Sequence, residues 1–126
     1  MVDVSKQIAY WRDGAKEDWE VAVHLVESDR PRHGLFFAHL ALEKALKAHV
    51  CRQTLELAPK IHNLIKLAEL SKLTISDKHV DILAEMNRFN LQGRYPDTLH
   101  DSLSKSDAIG YLKKAEDAFL WLTSQL

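Results

Sequence analysis

Apolar residues recur along this chain at spacings of three and four over long stretches, the period of helices buried on one side. Ile8, Trp11, Ala15, Trp19, Ala22 and Val26 make one such stripe, and Arg12, Asp13, Lys16, Glu17 and Glu20 take the other face. The pattern predicts a first helix from about Ser5 to Ser28. Asp29-Arg30-Pro31 breaks it, because proline disfavours helical backbone in the residue before it. The same proline suits the first turn of a following helix, where its missing N–H costs nothing.

That second helix, from about Arg32 to Gln53, is apolar over most of its circumference: Leu35, Phe36, Phe37, Leu40, Leu42, Leu46 and Val50 leave little polar face. A helix of this kind is either the central one of a bundle or one that a partner subunit covers. Ala38, Ala41, Ala45 and Ala48 form a stripe of small residues that lets a neighbouring helix come close.

Leu57-Ala58-Pro59-Lys60 is the next break, followed by a short helix from about Ile61 to Leu70. Ser76 is a natural N-cap for a fourth helix, with Asp77 placed to meet the helix dipole and Val80, Leu83, Met86 and Phe89 facing inward before Gly93. Arg94 to Leu103 is polar, contains Pro96 and is expected as a loop. Ser104 and Asp107 have the spacing of a capping box, and the last helix presents Ile109, Leu112, Ala115, Phe119 and Leu122 on one face. No strand pattern, repeat or low-complexity tract interrupts this. The expected fold is all-α: an antiparallel up-and-down bundle of four long helices plus one short helix, in a single domain over residues 1–126.

Composition narrows the function classes. A formal net charge of −1 excludes a globally basic surface, so any nucleic-acid contact must come from a local patch. Cys51 is the only cysteine, which rules out an intrachain disulfide and a cysteine-rich zinc site; it is expected as a small apolar residue near a helix end. The start Met1-Val2-Asp3-Val4-Ser5-Lys6 leads into no apolar run, so neither signal peptide nor membrane span is indicated and a cytoplasmic location is expected. No glycine-rich phosphate loop and no His-Glu-x-x-His spacing occurs, and neither a metal nor a cofactor is expected.

Four features follow one another along the chain. Glu43 and Lys47 lie one turn apart on the alanine-rich helix, with His39 a turn before them; His62 stands at the start of the short helix; Asn87 and Asn90 close the fourth; and Arg94-Tyr95-Pro96-Asp97 follows. Each is weak alone, but in this order, across nearly the whole chain, they resemble the HEPN family (higher eukaryotes and prokaryotes nucleotide-binding), in its stand-alone prokaryotic form. The resemblance implies a helical subunit that binds a nucleotide or RNA phosphate through Glu43, Lys47, His62, Arg94, Tyr95 and Asp97. It also implies a homodimer, pairing with a minimal nucleotidyltransferase protein, and a role as the toxin of a toxin–antitoxin pair.

The residues also admit plainer readings. Glu43 and Lys47 make an i,i+4 ion pair of the kind that supports many helices by a few tenths of a kcal/mol. Their setting on an otherwise apolar helix favours a cavity or interface instead. His62, flanked by Lys60 and Lys66, is either a structural histidine or part of an anion-binding helix start with free N–H groups. Ribonucleases of the HEPN superfamily carry an arginine, four to six residues, then a histidine. Arg94 and His100 fit that spacing and would act without metal, His100 as proton carrier and Arg94 on phosphate. Arg32 and His39 fit it too, and chance supplies about one such match at this composition, so the spacing by itself does not make the chain an enzyme. A purely structural helical dimer is the remaining alternative.

Overall fold

The computed structural model describes residues 2–91 and 103–126. Its helices are α1 (Val4–Glu27), α2 (Pro31–Thr54), α3 (Leu64–Ser71), α4 (Asp77–Met86) and α5 (Lys105–Ser124), with a 3-10 turn (Asn87–Leu91) continuing α4. The fold is all-α, as the apolar periodicity predicts.

Each helix begins where a side chain or a proline answers the unpaired N–H groups of the first turn. The Asp3 carboxylate caps α1 by accepting from Lys6 N, and Pro31 opens α2 at its first position. Ser76 caps α4, with Asp77 in the first turn. Ser104 and Asp107 form the predicted capping box of α5, and the shorter aspartate still reaches back to Ser104 N at 3.3 Å. The short helix starts later than its apolar spacing suggests. Asn63 caps it and Leu64 opens it, so His62 stands in the preceding connection and not on the helix.

The chain runs up and down. Residues Ala22 and Val26 of α1 lie against Gly34 of α2, Asp18 pairs with Lys44, and Trp11 lies beside Lys47, a descending register that makes α1 and α2 antiparallel. Helix α5 returns antiparallel to α1, with Trp19 stacked on Phe119 at 4.8 Å and Lys105 Nζ donating to the carbonyl of Glu27. Helix α4 docks on α5 through His79 Nε2 and Asp117 Oδ2, 2.9 Å apart, a contact that holds the Asp117 carboxyl below its ordinary pKa. The last turn of α5 is tied to α2: His49 Nε2–H donates to Leu122 O at 2.8 Å and Arg52 donates to Gln125 O at 2.9 Å. Burial lowers the His49 pKa, which suits a neutral ring donating to a carbonyl.

Of the two readings of the apolar second helix, the structure realises the central one. Leu35, Leu42 and Leu46 are fully buried within this chain, as are Ala38, Ala41, Ala45 and Ala48 of the small-residue stripe. Cys51 is buried near the end of α2, and burial pushes its thiol pKa up. The core joins α2 to Ala15, Ala22 and Val26 of α1, Leu64 and Leu67 of α3, Leu83 and Met86 of α4, Phe89 of the 3-10 turn, and Ala115, Phe119 and Leu122 of α5. Ile109 departs from expectation. It is exposed, because Ala108, Ala115 and Ala118 set the inward phase of α5 and turn Ile109 to the side. Among the described residues no helix is long and apolar enough to cross a membrane.

Gly34 fixes how closely α1 and α2 approach. A Cβ there would stand 2.4 Å from Val26 Cγ2 and 2.9 Å from the Ala22 carbonyl oxygen, whereas a Cβ at Gly110 meets nothing within 4 Å. Gly34→Ala is therefore expected to destabilise the fold by about 1–3 kcal/mol through overpacking. Gly110→Ala should stabilise it by up to about 1 kcal/mol through helix propensity alone. Urea unfolding of the two variants beside the wild type checks both signs.

Candidate functional site

Helix α2 carries His39, Glu43 and Lys47 on successive turns, and none of the three reaches bulk water: their exposures are 0 %, 4 % and 6 %. A carboxylate taken out of water needs opposite charge and hydrogen bonds, or it destabilises the fold by several kcal/mol. Glu43 has both. Lys47 Nζ lies 3.1 Å from Oε2, and His62 Nδ1 lies 3.2 Å from each carboxylate oxygen. A carboxylate can only accept, so the His62 proton sits on Nδ1 and the ring donates to Glu43. The Lys47 ammonium is held from a second side by the Trp11 ring, 5.1 Å from its centroid.

His62 is the part of the cluster that meets solvent, with a side chain 47 % exposed. The bond to Glu43 fixes its tautomer and leaves Nε2 as the other functional nitrogen. A histidine oriented by a buried carboxylate can take up a proton at Nε2 or, once protonated, donate to a phosphate oxygen. Lys60 and Lys66 flank it at exposed positions.

His39 is buried deepest. Its Nδ1 lies 3.8 Å from Glu43 Oε1, too far for a hydrogen bond, and neither ring nitrogen makes a well-formed one among the described residues. Burial lowers its pKa to about 4, against the opposing pull of Glu43 and of the His62 backbone, so the ring is neutral near pH 7.

The start of α3 does not offer the free N–H groups that an anion site there requires. Asn63 Oδ1 accepts from Ile65 N at 2.9 Å and from Lys66 N at 3.1 Å, and Asn87 Oδ1 accepts from Leu64 N at 2.8 Å. Asn87 also donates to Asn63 at 3.3 Å. The two asparagines close the helix end and bind the 3-10 turn to it. Anion binding at this corner therefore falls to side chains.

The structure thus brings together three of the predicted site residues, Glu43, Lys47 and His62, on two elements. Arg94, Tyr95, Asp97 and His100 lie outside the described residues. Sequence reasoning missed Asn87 as a cap on another element and Trp11 as the wall behind Lys47. It also missed Arg88, which the 3-10 turn places against α5, where it donates to Tyr111 Oη at 3.1 Å. Helical spacing carries no sign of these contacts, which join residues 23 or more apart in sequence. Among the described residues no group of three histidine, cysteine or carboxylate side chains is arranged to hold a metal ion.

Comparison with known proteins agrees with this architecture. A sequence model described as the HEPN domain matches residues 8–125. The fold is similar to the crystal structure of TT1696 from Thermus thermophilus, with a TM-score of 0.80 at 18 % identity, covering 95 % of this chain and 98 % of that one. It is also similar to ST0689, an archaeal HEPN homologue, with a TM-score of 0.75 at 19 % identity, covering 94 % and 96 %. No curated protein matches the chain in sequence.

Two stability predictions follow from the cluster. Glu43→Ala leaves Lys47 buried without its counter-ion and is expected to cost about 3–5 kcal/mol, whereas Glu43→Leu combined with Lys47→Met should recover much of that loss. Denaturant midpoints of the single and double variants decide it. Folding keeps His39 neutral at a pH where the unfolded chain protonates it. Stability is therefore lost as pH falls from about 6.5 towards 4, at up to about 1.4 kcal/mol per pH unit from this residue. His39→Leu should make the stability profile shallower over that window, as read by urea unfolding at several pH values.

Proposed function

Because the chain belongs to the HEPN domain family, we propose that it binds a nucleotide or RNA phosphate at the corner where α2 meets the start of α3. The observation that carries this reading is the half-exposed His62 held by a buried carboxylate, with the Lys47 ammonium on the same Glu43. With Nδ1–H given to Glu43, the ring meets a ligand through Nε2, which donates to an anion once it has taken up a proton, and Lys60 and Lys66 flank it. In this reading Lys47 supplies positive charge behind the ring, His62 hydrogen-bonds the ligand, and Arg94, Tyr95 and Asp97 join them in binding the nucleotide or RNA phosphate.

The proposal extends to partners. The chain works as a homodimer beside a minimal nucleotidyltransferase protein, as the toxin of a toxin–antitoxin pair in the cytoplasm. A metal-independent ribonuclease using Arg94 and His100 is the second reading. It draws support from the family, whose ribonucleases carry an arginine and a histidine at this spacing.

The binding reading predicts that millimolar ATP or a short RNA raises the melting temperature by a few degrees, by mass action on the folded state. His62→Gln, which keeps a donor towards Glu43, should lose most of that shift. An unchanged melting temperature in the wild type contradicts the reading. For the ribonuclease, RNA cleavage that survives EDTA and is abolished by Arg94→Ala or His100→Ala is the expected result, and intact RNA refutes it.

A further inference from the structure

The Glu43 cluster leaves a charge problem for any anion bound beside it. Its carboxylate offsets the Lys47 ammonium at 3.1 Å, so an incoming phosphate meets a lysine already answered by a carboxylate. A site for phosphate gains most from a cation that is held in place by neutral groups, because such a group is oriented without losing its charge.

Among the described residues Arg88 has that character. It is exposed on the 3-10 turn, one residue after Asn87, which is bonded to the start of α3 beside His62. Its guanidinium is held by aromatic groups. Nη1 donates to Tyr111 Oη at 3.1 Å, and the group lies 5.2 Å from the Phe89 ring centroid and 5.9 Å from that of Tyr111. One of these mounts is anchored in the core. Phe89 is 1 % exposed in the core and meets Tyr111 edge to face at 5.3 Å. The guanidinium has five N–H donors and, among the described residues, gives one to the phenol, while the phenol accepts that bond and keeps its own hydrogen to donate. An oriented, charged fork beside a phenol O–H matches two oxygens of a phosphate.

We propose that Arg88, mounted on Tyr111 and Phe89, is a phosphate-binding residue of this protein, acting on the phosphate of a nucleotide or of the RNA backbone. This rests on the nucleotide-binding reading above and adds to it a residue on a third element. Arg88 is the contacting cation. Tyr111 is chiefly its positioning residue.

The test is fluorescence anisotropy of a short fluorescein-labelled single-stranded RNA on the full chain, with ATP as competitor and affinity measured across a salt series. Arg88→Ala should weaken binding about tenfold or more, as expected for one charge-assisted bond. It should also lower the slope of log affinity against log salt by about 0.7, one phosphate contact on a single strand. Arg88→Lys keeps the charge and the stem but loses the fork, and should fall between the two. Tyr111→Phe should weaken binding less than Arg88→Ala and leave the salt slope unchanged. Lys6→Ala, at the far end of α1, is the charge control and should bind as the wild type. Melting temperatures within about 3 °C of the wild type separate these losses from misfolding.

Competition by ATP assigns the phosphate to a free nucleotide, and failure to compete assigns it to the RNA backbone; both agree with the proposal. Wild-type binding that Arg88→Ala leaves unchanged in affinity and salt slope overturns the Arg88 assignment alone. A wild type that binds neither probe overturns the nucleotide-binding reading and this inference with it.

Discussion

A carboxylate inside a helical bundle must be answered by positive charge, and much of this structure arranges the answer to Glu43. The residue sits on the most buried helix with a side chain 6 % exposed. Lys47 reaches it from the same helix, one turn on, and His62 reaches it from the connection leading to α3. The first contact is local and costs little chain entropy. The second joins segments 19 residues apart and so fixes the path of the chain between α2 and α3. Lys47 remains the counter-ion of Glu43, and the His62 contact adds a hydrogen bond to a buried carboxylate that ties this connection to α2.

That tie continues through further hydrogen bonds. Asn63 follows His62 and caps α3, and Asn87 binds both Asn63 and the first N–H of α3. The 3-10 turn is thereby attached to the corner where His62 is held, and Arg88 is attached to α5 through Tyr111. Three segments distant in sequence, around residues 43, 62 and 88, are brought into one polar framework over a core of leucine and alanine. A histidine locked in one tautomer and an arginine mounted on neutral groups are its exposed products. The arginine is a donor suited to phosphate, the histidine becomes one on protonation at Nε2, and neither needs the helix N-terminus, whose N–H groups Asn63 and Asn87 occupy.

Much of the fold is legible in the sequence because helices announce themselves locally. The stripe on α1, the proline opening α2, the Ser76 cap and the Ser104–Asp107 box each depend on residues within a turn or two, and each stands where the spacing places it. The all-round apolar character of α2 identifies it as central or as partner-covered, and only the packing of α1, α3 and α5 around it decides between them. Ile109 shows the limit of periodicity. On α5 two overlapping apolar phases coexist, and the small alanines select the one that permits close approach to the core. The site was legible in part. Glu43 and Lys47 stand out because charge interrupts an apolar helix, and His62 because it is flanked by lysines. Their meeting is a tertiary fact, as are the asparagine cap across elements and the aromatic mount of Arg88, which no short spacing encodes.

The central claim is that the Glu43 carboxylate holds His62 as the phosphate-facing group of this HEPN chain. Histidine side-chain 1H–15N correlation spectra of the protein test it most directly, free and with RNA or ATP added, with His62 assigned through His62→Gln. The account predicts a single Nδ1–H tautomer for His62 in the free protein and a selective perturbation of its Nε2 resonance on adding ligand. A His62 ring that exchanges freely between tautomers, and whose signals stay unmoved at saturating RNA and ATP, would contradict it.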